Sequence, residues 1–288
     1  ESQCRLITTD ETSNIFEKPF LNNYGNNDLR DILVSEIIEE YKINKEIDIS
    51  NIIIDEHVFN YYEISQTERI HILKELKRIK YKDEYRDTYE SNMDLESTIL
   101  DKIEKKLSKS TPVYKIAYEE KLDIMDVYNY LITNKVYSKE QLITKLKSII
   151  SYYIGVIFSR WENQPDNNDG IIPMNSSIYL EKDIIEKLYE AFTLDFNEDI
   201  ADRNISYIEK ILERDLSTYF IKEFFEEHCK IYQNRPIYWH ICSPNKTFNC
   251  FVYYHKLDND TLYKVKSIYL GQMIDRYQED LKYYTEQL

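Results

Sequence analysis

Apolar residues recur at intervals of three and four along most of the chain, the spacing of an amphipathic helix. The first clear example begins near Asp28 and carries these residues on one side: Leu29, Ile32, Leu33, Ile37 and Ile38. Glu36, Glu39 and Glu40 are predicted to lie on the opposite, solvated side. Similar spacing returns in residues 65–79, 95–107, 138–161, 183–192 and 205–231. Helix is therefore the predominant predicted element.

Two helix starts carry the pattern of a capping box, in which a Ser and a Glu or Gln three residues later satisfy each other's backbone N–H groups. Ser65 with Glu68 is predicted to open one helix, and Ser138 with Gln141 another. The second continues to Trp161 and is the most apolar helix of the chain.

Near the C-terminus the repeat of apolar residues changes from helical spacing to every second residue. Within residues 236–242, Ile237, Trp239 and Ile241 alternate with Tyr238, His240 and Cys242, and residues 248–255 are rich in aromatic and β-branched side chains. The five residues 243–247 between them have turn composition, which predicts a β-hairpin over about 236–256. Asp258 is then expected to cap a last long helix.

These patterns predict a mainly α fold, bundle-like, with a small antiparallel β-hairpin near the C-terminus, and hence α+β overall. Residues 162–170 contain Pro165 and an Asn/Asp cluster, which is typical of a linker. We expect a helical domain over 1–161 and a second helical domain with the hairpin over 171–288. Residues 171–173 and 177–180 are predicted to be short extended pieces.

Composition narrows the function classes. The 288 residues have a formal net charge of −15, which disfavours a chain whose main task is to wrap a phosphate backbone. No apolar run reaches the length of a membrane-spanning helix, and four cysteines are too few for a disulfide framework. We therefore expect a cytoplasmic protein with no membrane partner. Because the sequence starts at Glu1 rather than Met, we also expect a fragment.

Familiar catalytic motifs are absent from the sequence. Adenine methylation needs a Gly-rich turn and an Asn/Asp-Pro-Pro-aromatic loop, but the four glycines are isolated and no Pro-Pro pair occurs. A metal-dependent nuclease would need an acidic-x-Lys pair after Pro165-Asp166, whereas Glu181 is followed directly by Lys182. Neither chemistry is predicted for this chain.

A His/Cys grouping leaves a metal site open as a weaker alternative. Its members are His228, Cys229, His240, Cys242, Cys250 and His255. His240 and Cys242 would project to one face of a strand, and Cys250 could approach from the partner strand. The spacing matches no paired-ligand knuckle, so core thiols and ordinary polar histidines are the favoured interpretation and no metal is predicted.

Residues 115–133 carry the apolar spacing of a helix-turn-helix. A DNA-reading second helix would present Arg, Lys, Gln or Asn to the groove, but this one offers Asp123, Asp126 and Asn129. A simple helical hairpin is the favoured interpretation.

Two blocks of sequence resemble a known family. The run RPIYWHICSPNKTFNCFVYYHKL at 235–257, continuing into 260–263, is similar to the C-terminal signature of PglX-type adenine-specific DNA methyltransferases of phage-exclusion (BREX) systems and related type IIG restriction-modification enzymes. The block IISYYIG at 149–155, with Phe158, Arg160 and Trp161 and then GIIP at 170–173, matches in the same order. Ser159 stands where the family usually has Gly.

The resemblance covers about 142–270 and implies a much longer parent enzyme that uses S-adenosylmethionine in an N-terminal catalytic domain. No catalytic residue of the family can be placed on this chain. It implies a non-catalytic C-terminal module that supports target DNA recognition or docking of a partner, including other defence-system proteins. The alternative is a free-standing acidic scaffold or DNA mimic.

Within the signature, Arg235, Lys246 and Lys256 are the basic residues near the hairpin, and we predict them as candidate DNA-phosphate contacts. The residues also allow a plain packing role, in which Trp239, Phe248, Phe251 and Tyr253 pack the hairpin onto helices.

Overall fold

The computed structural model describes residues 2–21, 27–75, 97–107, 109, 111, 113–161, 168–174 and 182–287. The α-helices are α1 (Ser2–Ile7), α2 (Leu29–Tyr61), α3 (Gln66–Glu75), α4 (Ser97–Leu107), α5 (Val113–Glu120), α6 (Ile124–Asn134), α7 (Lys139–Ile157), α8 (Ile184–Asp195), α9 (Glu198–Leu212), α10 (Leu216–Tyr219), α11 (Phe225–Ile231), α12 (Thr261–Lys264) and α13 (Gly271–Glu286). The strands are β1 (Ile171–Pro173), β2 (Tyr238–Cys242) and β3 (Asn249–Tyr253). The mainly α fold with a small antiparallel β part is confirmed.

Two compact units make up the chain. The first contains residues 1–23 and 31–146, and the second contains residues 24–30 and 147–288. The predicted boundary at 162–170 stays a prediction, because residues 162–167 lie outside the described part. The predicted extended piece at 177–180 also lies outside it.

Both capping boxes of the first unit form as predicted. The backbone N–H of Ser65 donates to Glu68, whose own N–H donates to the Ser65 hydroxyl, and Ser138 and Gln141 exchange the same pair of bonds. Each box satisfies N–H groups that the first turn of a helix leaves without an internal partner.

Glu36 does not lie on the solvated side of α2, so that prediction is wrong. Its side chain is fully buried, and both carboxylate oxygens accept the backbone N–H of Leu21 at 2.9 Å. The ammonium of Lys145 lies 3.6 Å away. A buried carboxylate is tolerated here because a donor and a cation face it.

Helices α5 and α6 form the helical hairpin expected for residues 115–133. Asp123 accepts the N–H of Met125 as the N-cap of α6, and Asn129 accepts a bond from Lys45 at 2.8 Å. Asp123 and Asn129, two of the polar residues that a DNA-binding helix would present to the groove, thus have structural roles.

In the second unit, the predicted hairpin is joined by β1 to give an antiparallel sheet of order β1-β3-β2. One face packs on the C-terminal helical segment through Cys250, Val252, Val265, Tyr269 and Met273. The opposite face carries the aromatic side chains described below.

The C-terminal helical segment begins at Thr261, three residues after the predicted cap. Asp258 accepts bonds from the N–H of Asp260 and the hydroxyl of Thr261, and so orders the turn that precedes the helix. These bonds and Lys264 lower the pKa of Asp258 to about 2. None of the helices in the described residues has the length and hydropathy needed to cross a membrane.

Candidate functional site

Aromatic residues fill the space between one face of the hairpin and the helices. The rings of Phe158 and Tyr238 stack with centroids 5.0 Å apart, and Tyr253 lies 5.7 Å from Phe158. Phe251 meets Phe224 edge-on at 5.3 Å. Because all five side chains are buried, this face is a closed core and not an accessible groove.

The plain packing interpretation of the signature is correct for most residues but wrong for Trp239. Phe248, Phe251 and Tyr253 are buried, whereas Trp239 is exposed. Trp239 belongs to the edge strand β2 and pairs with Val252 of β3. Its side chain therefore lies on the sheet face opposite to that of Phe251. Tyr238, which was not predicted, is fully buried instead.

His228 of α11 anchors the start of β2. Its Nε2 accepts the backbone N–H of Ile237 at 3.1 Å and that of Tyr238 at 3.3 Å. An Nε2 that accepts must be unprotonated, so the neutral ring carries its proton on Nδ1. Burial, with Arg160 nearby, lowers the pKa of His228 to about 3. The imidazole is therefore neutral at physiological pH.

Arg160, Trp161 and Tyr232 form what we term the Arg160 cluster. The guanidinium carbon of Arg160 lies 4.1 Å from the ring centroid of Trp161 and 5.4 Å from that of Tyr232. These distances are those of cation–π contacts. The cluster combines a cation with two half-buried aromatic surfaces at the end of α7.

Gly155 makes room for this cluster. A Cβ atom at residue 155 would lie 2.4 Å from Nε1 of Trp161, which is far inside van der Waals contact. The indole N–H donates to the carbonyl of Tyr152 at 3.0 Å, and the two rings stack. The glycine of the IISYYIG block thus fixes the position of the indole.

Arg235 lies directly after the cluster in a tight loop. Its N–H donates to the carbonyl of Tyr232 at 2.9 Å, and Gln233 and Asn234 both have left-handed backbone angles. The Arg235 side chain is exposed. Arg235 therefore lies next to the Arg160 cluster through the backbone of Tyr232.

Lys246 and Lys256 lie at opposite ends of the hairpin. Lys246 is exposed in the turn, with its ammonium 3.5 Å from the carbonyl oxygen of Ile221. Lys256 is half-buried and donates to the backbone and side-chain oxygens of Asn168 at 3.2 and 3.1 Å. The three predicted basic residues do not form one patch, and Lys256 has a structural task.

The His/Cys grouping is divided by the strand register. Cys250 pairs with Ile241, so it lies on the face opposite to His240 and Cys242. His240 is bonded to Asn249 at 3.0 Å. Burial raises the pKa of the Cys250 thiol to about 12, so it is protonated at neutral pH. No group of three or more potential metal ligands occurs among the described residues.

Sequence reasoning selected the basic residues of the hairpin but not Arg160 and Tyr232 as a pair. Arg160 and Trp161 belong to a block with family resemblance, which was the available signal. Tyr232 is remote in sequence and carries no motif, so only the fold brings it to the guanidinium.

Comparisons with known proteins show that part of the chain is similar in sequence to two methyltransferases. No family profile matches it. The adenine-specific methyltransferase BrxX of Escherichia coli O9:H4 (strain HS) is 30% identical over 138 residues, which cover 43% of this chain and 12% of BrxX. The adenine-specific methyltransferase PglX of Lacticaseibacillus casei (strain Zhang) is 26% identical over 166 residues, which cover 47% of this chain and 14% of PglX.

The matched segment thus spans only 12% to 14% of the length of these two curated relatives. The resemblance noted in the sequence is confirmed. Over somewhat less than half of its length, the chain is related to the PglX-type adenine-specific methyltransferases.

Proposed function

We propose that the chain is a non-catalytic C-terminal module of a bacterial adenine-specific DNA methyltransferase in phage defence or restriction-modification, and that it supports recognition of target DNA. The names of the two relatives support the methyltransferase assignment. The isolated glycines and the missing Asn-Pro-Pro-aromatic loop support a role outside catalysis.

The observation that carries the DNA proposal is the placement of Arg235 and Lys246. Both side chains are exposed, one before β2 and the other in the turn after it. Ten residues lie between the two positions, and strand β2 among them is about 17 Å long at ~3.4 Å per residue. Because the phosphates of one DNA strand lie ~3.4 Å apart along the helix axis, the two cations would contact different phosphates of one binding site. Such contacts fix orientation rather than read sequence.

The Arg160 cluster supports this role through its contact with the backbone of Arg235. The carbonyl of Tyr232 accepts the Arg235 N–H, and the Tyr232 ring packs against the Arg160 guanidinium. A contact residue mounted on packed side chains loses less conformational entropy on binding than one on a free loop.

S-adenosylmethionine would belong to the parent enzyme and not to this module. Of the described glycines, Gly155 and Gly271 lie in helices, and a Cβ at Gly170 would lie 2.7 Å from Cβ of Lys256. The short antiparallel sheet also lacks the strand-turn-helix arrangement that binds nucleotide cofactors. The described residues therefore do not fit that cofactor.

The test measures DNA binding by the chain with fluorescence anisotropy at several salt concentrations. Arg235→Glu/Lys246→Glu is compared with Arg203→Glu/Lys210→Glu, which makes the same charge change at exposed positions of α9. Each lost phosphate contact lowers the slope of log K against log salt by about 0.9, so the hairpin pair should lower it by about 2. The α9 pair should leave the slope near that of wild type.

Equal losses in both double variants would contradict the hairpin assignment, because they would indicate a general charge effect. Absence of wild-type binding at low salt would instead favour the second candidate, an acidic protein-interaction scaffold or DNA mimic. The formal net charge of −15 is the observation that favours this candidate.

A further inference from the structure

Strand β2 lies at the edge of the sheet and directs backbone groups outward. The N–H of Tyr254 donates to the carbonyl of Ile237 at 2.8 Å, which places the ladder with β3 on the odd-numbered residues of β2. In an antiparallel pair, the residues between these point their N–H and C=O groups away from the partner strand. His240 and Cys242 therefore present theirs at the outer edge of β2.

Helix α11 satisfies the start of this edge. The outward N–H of Tyr238 donates to Nε2 of His228 at 3.3 Å. Farther along, no hydrogen bond within the described part of the chain joins the outward backbone groups of His240 or Cys242 to another residue. Two N–H and two C=O groups of these described residues are thus left for a further strand.

The opposite edge of the sheet is closed. Ile171 of β1 donates its N–H to Asp169 at 3.0 Å, and its carbonyl accepts the hydroxyl of Tyr269 at 3.3 Å. Pro173, the other outward residue of β1, has no N–H. Proline, charged side chains and covering elements are the usual means by which proteins prevent a sheet edge from pairing. Residues 238–242 of β2 contain no Pro, Asp, Glu, Lys or Arg.

The side chains of β2 add an apolar border to its open edge. Trp239 is 47% exposed, and Ile241 is partly buried against the cluster beneath the C-terminal helical segment. Both side chains lie on the same sheet face, because side chains alternate along a strand. In strand addition, backbone bonds supply affinity and such alternating side chains supply specificity. The edge therefore has both parts of a peptide-binding surface.

The charge around β2 defines the partner. Residues 235–257 contain Arg235, Lys246 and Lys256 but no Asp or Glu, although the whole chain has a formal net charge of −15. Arg235 and Lys246 are exposed before and after the strand. A segment with acidic residues complements these cations. A second copy does not, because antiparallel pairing of two β2 strands would bring Arg235 of one copy toward Lys246 of the other.

We propose that the outer edge of β2 binds an extended acidic segment of a partner protein by strand addition. The segment pairs its backbone with His240 and Cys242 and packs an apolar side chain beside Trp239. Its carboxylates lie toward Arg235 and Lys246. DNA would use the same two cations, but its phosphates only accept hydrogen bonds and would leave the outward carbonyls without a donor. A peptide strand supplies donors and acceptors alike.

The experiment titrates the chain, over about 1 to 500 μM, into a fluorescein-labelled ten-residue peptide in which Val alternates with Glu and Thr, and follows fluorescence anisotropy. One control peptide has Lys in place of Glu, and the other has Pro in place of two Val residues. We expect saturable binding of the acidic peptide. Binding of each control should be at least about fivefold weaker, because it loses the charge complementarity or the backbone donors.

Variants of the chain test the edge itself. Cys242→Pro is compared with Cys242→Ala, because both remove the exposed thiol but only proline removes the outward N–H. The ladder with β3 does not use this N–H. We expect Cys242→Pro to weaken peptide binding at least about fivefold and Cys242→Ala to match wild type. Trp239→Ala should also weaken it, whereas Tyr263→Ala, at a 70% exposed residue outside the sheet, should not.

Circular dichroism and thermal unfolding check the fold of every variant. If Cys242→Pro disturbs the fold, the pair Trp239→Ala and Tyr263→Ala decides the outcome. Absence of saturable peptide binding by wild type would overturn the proposal, and so would equal effects within either pair of variants. Binding of duplex DNA that Trp239→Ala weakens, with no binding of the peptide, would assign this edge to DNA instead. Peptide binding does not require that the chain binds DNA, so the two proposals fail separately.

Discussion

The imidazole of His228 and the backbone of Tyr238 join helix α11 to strand β2. The N–H of Tyr238 donates to Nε2 of His228 at 3.3 Å, and the two rings lie 4.7 Å apart, both buried. Because Ile237 donates to the same nitrogen, protonation of the ring would remove the acceptor for two backbone N–H groups.

His228 should make the stability of the fold pH-dependent. Its pKa is about 3 in the folded chain and about 6.5 when exposed, so the neutral form is favoured by folding. Its contribution is complete above about pH 6.5 and is lost as the pH falls toward 3, by up to about 1.4 kcal/mol per pH unit. Urea unfolding at pH 7.5 and pH 5 measures the loss.

The matched variants are His228→Gln and His57→Gln. Glutamine does not titrate, so the difference in unfolding free energy between wild type and His228→Gln should shrink as the pH falls from 7.5 to 5. His57 is exposed, and its variant serves as the control for the His-to-Gln substitution itself. A constant difference for His228→Gln would contradict the assigned role of the imidazole.

Gly155→Ala should destabilise the chain through the indole of Trp161. The added Cβ would lie 2.4 to 2.8 Å from three indole atoms, so the ring and the Arg160 guanidinium stacked on it must move. Overpacking of this kind costs about 1 to 3 kcal/mol, measurable as a drop in Tm. Gly271→Ala is the control, since its Cβ meets nothing closer than 3.8 Å and should stabilise the helix slightly. Similar losses at both positions would exclude the steric explanation.

Lys256→Met should lower stability, whereas Lys246→Met should not. Lys256 donates to two oxygens of Asn168 and packs over Gly170, while Lys246 is exposed in the turn. Hydrogen bonds to a charged group contribute about 1.5 to 3 kcal/mol when buried and less at half exposure, so we expect a loss of about 1 kcal/mol. Thermal unfolding of both variants gives the comparison. A larger loss for Lys246→Met would reverse the assigned roles.

Local patterns predicted many elements of this fold, although the helix predicted over 205–231 is divided after Leu212, where Glu213 has left-handed backbone angles. The capping boxes at Ser65 and Ser138 and the alternation in 236–242 depend on neighbours a few residues away, and each gave the expected element. Two π-helical turns, Phe220–Phe224 and Val265–Leu270, carry no such local signal. The first ends at Phe224, whose ring packs on Phe251 from a distant strand.

The candidate site was harder to predict from the sequence, because residues far apart in the chain form its contacts. The sequence presents Lys256 as a surface cation, but its acceptor in the folded chain is Asn168, 88 residues earlier. Tyr232 can be assigned to the site only from the structure, in which its ring contacts the guanidinium of Arg160. Charge and spacing identify candidates, but tertiary contacts decide which of them remain exposed to solvent.

Glu36 lies four residues after Ile32 and three after Leu33, so helical spacing itself places it on the buried face of α2, and tertiary contacts satisfy its charge there. Its fully buried carboxylate accepts the N–H of Leu21 and lies 3.6 Å from Lys145, while Glu39, three residues on, is partly exposed and pairs with Arg5 at 3.2 Å. Removing one member of a buried ion pair costs about 3 to 5 kcal/mol, against less than about 1 kcal/mol for an exposed pair. Glu36→Gln should therefore lower the unfolding free energy by several times the effect of Glu39→Gln. Urea titrations of the two variants give both values, and comparable losses would mean that burial of the Glu36 charge is not what stabilises this part of the first unit.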